Sequence, residues 1–262
     1  MGAPKTLSGL VPGKPNGTGC EVLSGRHFPE EWAGSIVEND FRANRTVRYK
    51  ISDDGSGFAA KEVETLIHSS RQTYRPVDLK VGPDGALYVV DWYNAIIDHG
   101  EVDFHHPLRD KAHGRIWRLR AKDRQLVELP HISGAPVEAL LDHLKAPEDY
   151  TRTQAKRELA TRSQKEVLPK LKSWLINLPA DDSNREHHLL EALWLRGTMN
   201  APDEELLREV LKSTEARARA NAVRILFHWR NHITNPYELF LSLIHISEPT
   251  RRYAISYAVF CL

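Results

Sequence analysis

The clearest structural signal in the chain is the segment VDLKVGPDGALYVV at residues 77–90. Apolar and charged residues alternate over 77–81, which is the period of two expected for a half-buried strand. The four residues GPDG at 82–85 are typical of a tight turn, because proline presets φ and glycine tolerates a positive one. A second apolar run follows at 87–90. The segment therefore predicts a β-hairpin.

The rest of the first half, to about residue 129, has the same character. Short runs rich in β-branched and aromatic residues are separated by clusters of Gly, Pro, Asn and Asp. These runs predict strands at 35–38, 46–51, 63–67, 77–81, 87–91 and 114–119. The polar segment 93–113 is too long for a tight turn, so it predicts an elaborated surface loop.

From about residue 136 the apolar period becomes helical. The first such stripe consists of Val137, Leu140, Leu141 and Leu144. Ser163 and Glu166 have the spacing of a capping box at the start of a later helix. The related pentapeptides AKREL, ALWLR and AVRIL begin at residues 155, 192 and 222, close to a HEAT-type period. We expect HEAT-like helical repeats over 131–240, with a plain helical bundle as the alternative.

Composition excludes several classes of protein. The 262 residues include 36 basic and 35 acidic side chains, and a net charge of +1 provides no basic field for nucleic acid. Two cysteines cannot form a disulfide framework, and no CxxC pair is present. No apolar run approaches the ~20 residues that span a bilayer, and residues 1–17 contain no apolar core of a signal peptide. We expect no nucleic-acid partner, and membrane contact only through parts outside this sequence.

The last segment is LSLIHISEPTRRYAISYAVFCL at residues 241–262. Its first part looks like the translation of a transposase-type sequencing adapter. Its end, ISYAVFCL, looks like the translation of the flow-cell primer that follows such an adapter. We therefore expect residues 241–262 to be a sequencing-adapter artefact. The alternative is a C-terminal β-strand with alternating apolar residues.

Two segments resemble the membrane-bound dehydrogenase family of planctomycete-type bacteria: TYRPVDLKVGPDGALYVVDWYN at 73–94 and HGRIWRLR at 113–120. The likeness extends over residues 17–120. It implies a glucose/sorbosone-dehydrogenase-like β-propeller, then HEAT repeats and a cytochrome c domain. On this basis we expect a multidomain β + α chain. Residues 1–130 would form a partial β-propeller of about two C-terminal blades, and residues 131–240 the HEAT-like repeats.

The resemblance also implies a function. The parent protein would be an exported, periplasmic sugar or alcohol dehydrogenase with a pyrroloquinoline quinone-like cofactor, passing electrons to a tethered cytochrome c. Guanidinium groups bind carboxylates bidentately, and the implied cofactor ligands are Arg75 and Arg42. Thr73 stands where the family has a second arginine, and a purely structural bond from Arg75 to Asp78 or Asp91 is equally open.

No catalytic residue is assigned, because the family's histidine base and its CxxCH haem motif would lie in parts that this sequence does not contain. We therefore expect the fragment alone to be inactive. Histidine and carboxylate are concentrated over 91–113, but their spacing matches no known metal motif, so no metal ligand is assigned. Trp92 and Tyr93 could stack on a sugar ring or pack in the β core. The alternative function is a non-catalytic module that binds a polysaccharide or, through its helical repeats, a partner protein.

Overall fold

A computed structural model describes residues 17–54, 57–97 and 102–244, the last three of these in backbone only. The chain divides into two compact units, Met1–Leu129 and Pro130–Leu262. Most of the segment expected to be an adapter artefact, residues 245–262, lies outside the described residues. The first four residues of that segment, 241–244, belong to the last described helix.

Two antiparallel sheets form the described part of the first unit. Four strands make the first sheet, in the order β1 (Gly17–Val22), β2 (Ile36–Asp40), β3 (Arg45–Asp54) and β4 (Gly57–His68). Three strands make the second sheet, in the order β5 (Pro76–Val81), β6 (Leu87–Asp91) and β7 (Arg115–Leu119). Both sheets are meanders, in which each strand pairs with the strand that precedes it in sequence.

The predicted hairpin is confirmed as β5 and β6. Leu79 lies opposite Val89, and both side chains are completely buried. The Gly82 N–H donates to the Ala86 carbonyl at 2.8 Å and closes the turn. Gly85 has a φ of +79°, which a residue with a side chain adopts only under strain.

The two sheets share one apolar core. Its buried members are Leu23, Phe28, Val37, Leu79, Leu87 and Val89. Strand β1 lies beside β5, where the Thr18 hydroxyl donates to the Pro76 carbonyl at 2.6 Å. A Cβ added at Gly19 would lie 2.8 Å from the Cα of Asp78, so glycine permits this close approach.

The predicted partial β-propeller is wrong. The described residues form two small open sheets of four and three strands, neither closed nor arranged as a propeller. Alternating apolar residues and turn signals specify hairpins, but they do not specify how the resulting sheets are arranged. Here the sheets are held by a common core and by the contact of β1 with β5. Strand β1 was not predicted at all, because GTGCEV has no regular apolar alternation.

The described part of the second unit is helical. Its seven α-helices are α1 (Val137–Asp142), α2 (Asp149–Ala160), α3 (Gln164–Ile176), α4 (Arg185–Thr198), α5 (Glu204–Leu211), α6 (Ala216–Trp229) and α7 (Pro236–Ile244). The predicted cap is confirmed, since the Ser163 hydroxyl accepts from the Glu166 N–H at 3.2 Å. None of the described helices is both long and apolar enough to cross a bilayer.

Helix α4 occupies the centre of the helical unit, in contact with α2, α3, α5 and α6. It is buried over most of its circumference, through His188, Leu189, Leu190, Glu191, Ala192, Leu193 and Leu195. One continuous apolar cluster surrounds it. Helix α4 contacts both α2 and α6, as it would in a bundle or in stacked helix pairs. The HEAT-like repeats expected over 131–240 therefore stay a prediction, with a plain helical bundle as the alternative.

Candidate functional site

The carboxylate of Asp91 organises one end of the second sheet. Asp91 ends β6 and is almost completely buried. Its Oδ1 accepts from the backbone N–H groups of Arg75 at 2.8 Å and Tyr93 at 3.0 Å. Its Oδ2 accepts from the indole N–H of Trp117 at 3.0 Å and lies 3.9 Å from Nε of Arg115. The carboxylate thus fixes both the start of the 92–113 loop and two side chains of β7.

The guanidinium of Arg75 is bonded mainly by backbone carbonyl oxygens. The side chain is buried, and burial lowers the pKa of its guanidinium from the ordinary value. Its donors face the carbonyl oxygens of Asn94 (3.2 Å), Phe41 (3.1 Å), Arg42 (3.4 Å) and Ala95 (3.4 Å), and the Asn44 side-chain oxygen (3.4 Å). Arg75 therefore ties the turn between β2 and β3 to the loop after β6.

Arg75 and Arg42, the two expected cofactor ligands, are not arranged to bind a tricarboxylate quinone. A carboxylate at Arg75 would have to displace the carbonyl oxygens that already occupy its donors. The Arg42 side chain is exposed, and its carbonyl is one of the acceptors of Arg75. Of the structural partners expected for Arg75, Asp91 is bonded, but by the arginine's backbone N–H rather than by its side chain.

An open groove runs beside β7, with a volume of about 530 Å³. One wall is the end of β4 and the segment after it, and the other is β7 itself. The lining residues are Ile67, His68, Ser69, Ser70, Arg71, Thr73, Tyr74, Arg115, Trp117, Arg118 and Leu119. Three of them are arginines and none carries a carboxylate. The groove therefore presents one sign of charge together with an aromatic ring.

Two of the groove arginines lie beside buried carboxylates. Arg118 forms an ion pair with Asp84 but keeps 43% of its side chain exposed, and Arg115 beside Asp91 keeps 32% exposed. Burial alone would raise the pKa of Asp84, but hydrogen bonds from Tyr88, the Ala86 N–H and Arg118 outweigh it and lower that pKa. Since a guanidinium has five N–H donors, both arginines retain donors for a ligand.

Arg71 and Trp117 complete the groove surface. The Arg71 side chain is exposed, and its guanidinium has no partner among the residues that the structure describes. Trp117 is 41% exposed, while its bond to Asp91 fixes the orientation of the indole. Sequence reasoning missed these two residues as binding candidates. For Trp117 the available signal was its place between two arginines in RIWRL, the sequence of β7. No sequence pattern pointed to Arg71.

The loop after β6 does not form a metal site in its described part. His113 Nδ1 lies 2.8 Å from an Asp110 carboxylate oxygen, so this histidine bonds within the loop. The described residues contain no group of three or more His, Cys, Asp or Glu side chains placed to hold a metal ion. Residues 98 and 99, which belong to the same acidic and histidine-rich segment, lie outside the description. Trp92 is 38% exposed and stacks on Phe41, with ring centroids 6.2 Å apart.

Residues 12–123 match a family model described as a domain of unknown function, DUF7133. The match lies within the first unit and covers less than half of the chain. No curated protein and no solved structure matches the chain. The comparisons therefore place a family domain over both sheets and the groove, and they assign no function to it.

Proposed function

We propose that this chain is a non-catalytic binding module whose groove beside β7 holds an anionic ligand. The observation that supports it is the lining of the groove, which combines three arginines and a tryptophan with no carboxylate. Hydrogen bonds from guanidinium to an anion are charge-assisted and stronger than neutral ones. A non-catalytic binding module was the alternative function expected from the sequence, and the groove residues are the ones that would bind its ligand.

Two features favour binding over a purely structural role for these arginines. Arg118 pairs with Asp84, and Arg115 lies beside Asp91 with its guanidinium 3.7 Å from the centre of the Tyr93 ring. Little side-chain freedom therefore remains to be lost when a ligand binds. Arg71 contributes nothing to the described packing, yet it faces the same groove. A structural explanation accounts for the first two arginines and leaves the third without a role.

The test is calorimetric titration of the full chain with two hexasaccharides, the acidic hexagalacturonate and the neutral maltohexaose. We expect the acidic sugar to bind, with affinity that falls as salt is raised, and the neutral sugar not to bind. Arg71→Ala should weaken binding by about tenfold, equivalent to about 1.4 kcal/mol. Arg120→Ala is the matched control, because it removes the same charge from an exposed residue outside the groove lining.

Equal binding of the neutral sugar would contradict the proposal. An Arg120→Ala effect as large as that of Arg71→Ala would also contradict it, because it would indicate attraction by overall charge rather than by the groove.

The rival proposal remains the exported dehydrogenase implied by the family resemblance, with its quinone cofactor and a tethered cytochrome c. Its substrate, a sugar or alcohol, and its periplasmic location remain predictions. The engagement of Arg75 with backbone carbonyls does not favour it. Titration of the chain with pyrroloquinoline quinone separates the two proposals: saturable binding that Arg42→Ala weakens and Arg71→Ala leaves unchanged would favour the dehydrogenase.

A further inference from the structure

Among the described residues, the second sheet ends at β7, whereas the first sheet has a fourth strand. Strand β7 pairs with β6, and no other described strand pairs with it. Its side chains Ile116 and Trp117 are 70% and 41% exposed. Proteins usually cover or shorten such an edge, because its unpaired backbone groups accept another strand.

The backbone on either side of β6 shows which of its residues face which neighbour. The Ala86 carbonyl accepts from the Gly82 N–H at 2.8 Å, and the Trp92 N–H donates to the Arg75 carbonyl at 2.9 Å. Ala86 and Trp92, the two residues that flank β6, therefore direct these backbone groups towards β5. Because backbone direction alternates along a strand, the odd-numbered residues of β6 bond towards β7.

The same alternation identifies the free backbone groups of β7. The residues opposite the odd positions of β6 are Arg115, Trp117 and Leu119. Their backbone groups face β6, so those of Ile116 and Arg118 face away from it, and neither residue has another backbone partner among the described residues. Within the described part of the chain, two N–H and two carbonyl groups are thus available to one more strand.

The groove lies along this edge and sets the chemistry of the occupant. Its lining includes residues from both faces of β7, with Trp117 on one and Arg118 on the other, as a site centred on the strand edge requires. In strand addition, backbone hydrogen bonds provide affinity and alternate side chains provide specificity. The exposed guanidinium groups select carboxylates, and the indole of Trp117 and the side chain of Leu119 accept apolar groups.

We propose that the groove takes an extended acidic polypeptide segment, which adds to the open edge of β7 as a fourth strand of the second sheet. This inference rests on the anion-binding function proposed above and names its ligand class. An acidic polysaccharide and a second copy of this chain are the competing occupants that the experiment must distinguish.

The experiment uses the full chain and a blocked six-residue peptide that alternates glutamate and valine. One version carries lysine in place of glutamate, and two versions carry N-methyl groups, either on every glutamate nitrogen or on every valine nitrogen. A strand that adds to β7 uses only one of its own edges. We therefore expect one N-methylated version to bind at least tenfold more weakly and the other to bind like the parent peptide. The lysine version should bind at least tenfold more weakly than the parent.

Amide hydrogen exchange provides the second readout on the unmodified protein. The amides of Ile116 and Arg118 should exchange more slowly when the acidic peptide is bound. Ile116→Pro removes one outward N–H from an edge position where proline is tolerated, and should abolish peptide binding. Ile116→Thr keeps both the N–H and the branched side chain, and should bind normally.

Each alternative gives a different result. If hexagalacturonate binds but no peptide protects these amides, strand addition is overturned while the anion-binding function stands. If neither sugar nor peptide binds, both proposals fail. Equal affinity for the lysine peptide would overturn the acidic ligand. Protection that rises with protein concentration in the absence of peptide would identify a second copy as the occupant and overturn the proposal.

Discussion

The two units of this protein are stabilised in different ways. The helical unit has one continuous apolar cluster around α4, which extends from Ala135 to Ile233. The β unit has two smaller clusters, and its loops are held by buried polar groups, chiefly Arg75 and Asp91. The stabilisation from apolar burial is a sum over many side chains of a core. The stabilisation from a buried polar network is lost when one of its members is removed, because its partners are then left without hydrogen bonds.

Buried charge therefore has a different meaning in each unit. In the helical unit, Glu191 is a fully buried carboxylate within an apolar core, and Arg152 and Lys156 compensate its charge. In the β unit, Arg75 is a buried cation that pairs with no carboxylate side chain of the described residues, and backbone carbonyl oxygens surround it instead. Arg71 belongs to neither kind of network, and its side chain lines the groove.

The largest loss of stability is expected when Glu191 is replaced. Glu191→Ala leaves Arg152 and Lys156 nearly buried without their common partner, and should reduce the free energy of unfolding of the helical unit by about 3–5 kcal/mol. Amide hydrogen exchange on the full chain can assign the loss to this unit. The control Glu209→Ala removes a carboxylate that is 50% exposed and should cost less than about 0.5 kcal/mol. Equal losses in the two variants would contradict the role of the buried carboxylate.

The second largest effect is expected for Arg75. Arg75→Ala removes the donors that satisfy the carbonyl oxygens of Phe41, Asn94 and Ala95, and should cost the β unit about 2–3 kcal/mol. Hydrogen exchange should show the loss at the β2–β3 turn and at residues 92–97, with the helical unit unchanged. Wild-type stability would indicate that Arg75 is not a structural residue and would restore its candidacy as a cofactor ligand.

Sequence alone predicted the local elements that depend on residues close together in the chain. The β5–β6 hairpin follows from alternation and its turn, and the start of α3 follows from Ser163. The contact of β1 with β5 could not be predicted, because it joins residues about sixty positions apart and depends on the fit of Gly19 against Asp78. Global arrangement is set by such non-local contacts, so the sheets were predicted more reliably than their assembly.

The same limit explains the choice of candidate arginines. Arg75 and Arg71 lie four residues apart and have the same side chain. Arg75 is buried among carbonyl oxygens, whereas Arg71 faces the groove. A sequence pattern shows where a guanidinium is present. Whether its donors remain free depends on tertiary neighbours, which only the folded chain defines.

A change of pH is expected to have a smaller effect on the stability of the helical unit. Burial lowers the pKa of His187 from its ordinary value of 6.5, against the opposing influence of Glu191. Since the unfolded chain then binds a proton more readily than the folded one, the contribution of neutral His187 is present above pH 6.5 and is lost as pH falls below that value. Denaturant midpoints between about pH 7.5 and 5.5 should decline less steeply in His187→Gln than in the wild type.

The smallest effect on stability is expected for Arg71. Arg71→Ala makes the same chemical change as Arg75→Ala, in the same unit, but removes no described contact of the side chain. It should change the free energy of unfolding by less than about 0.5 kcal/mol while weakening hexagalacturonate binding. Denaturant unfolding and calorimetry on the same samples measure both quantities. A stability loss comparable to that of Arg75→Ala would mean that Arg71 is a structural residue, and the comparison between engaged and available arginines would then fail.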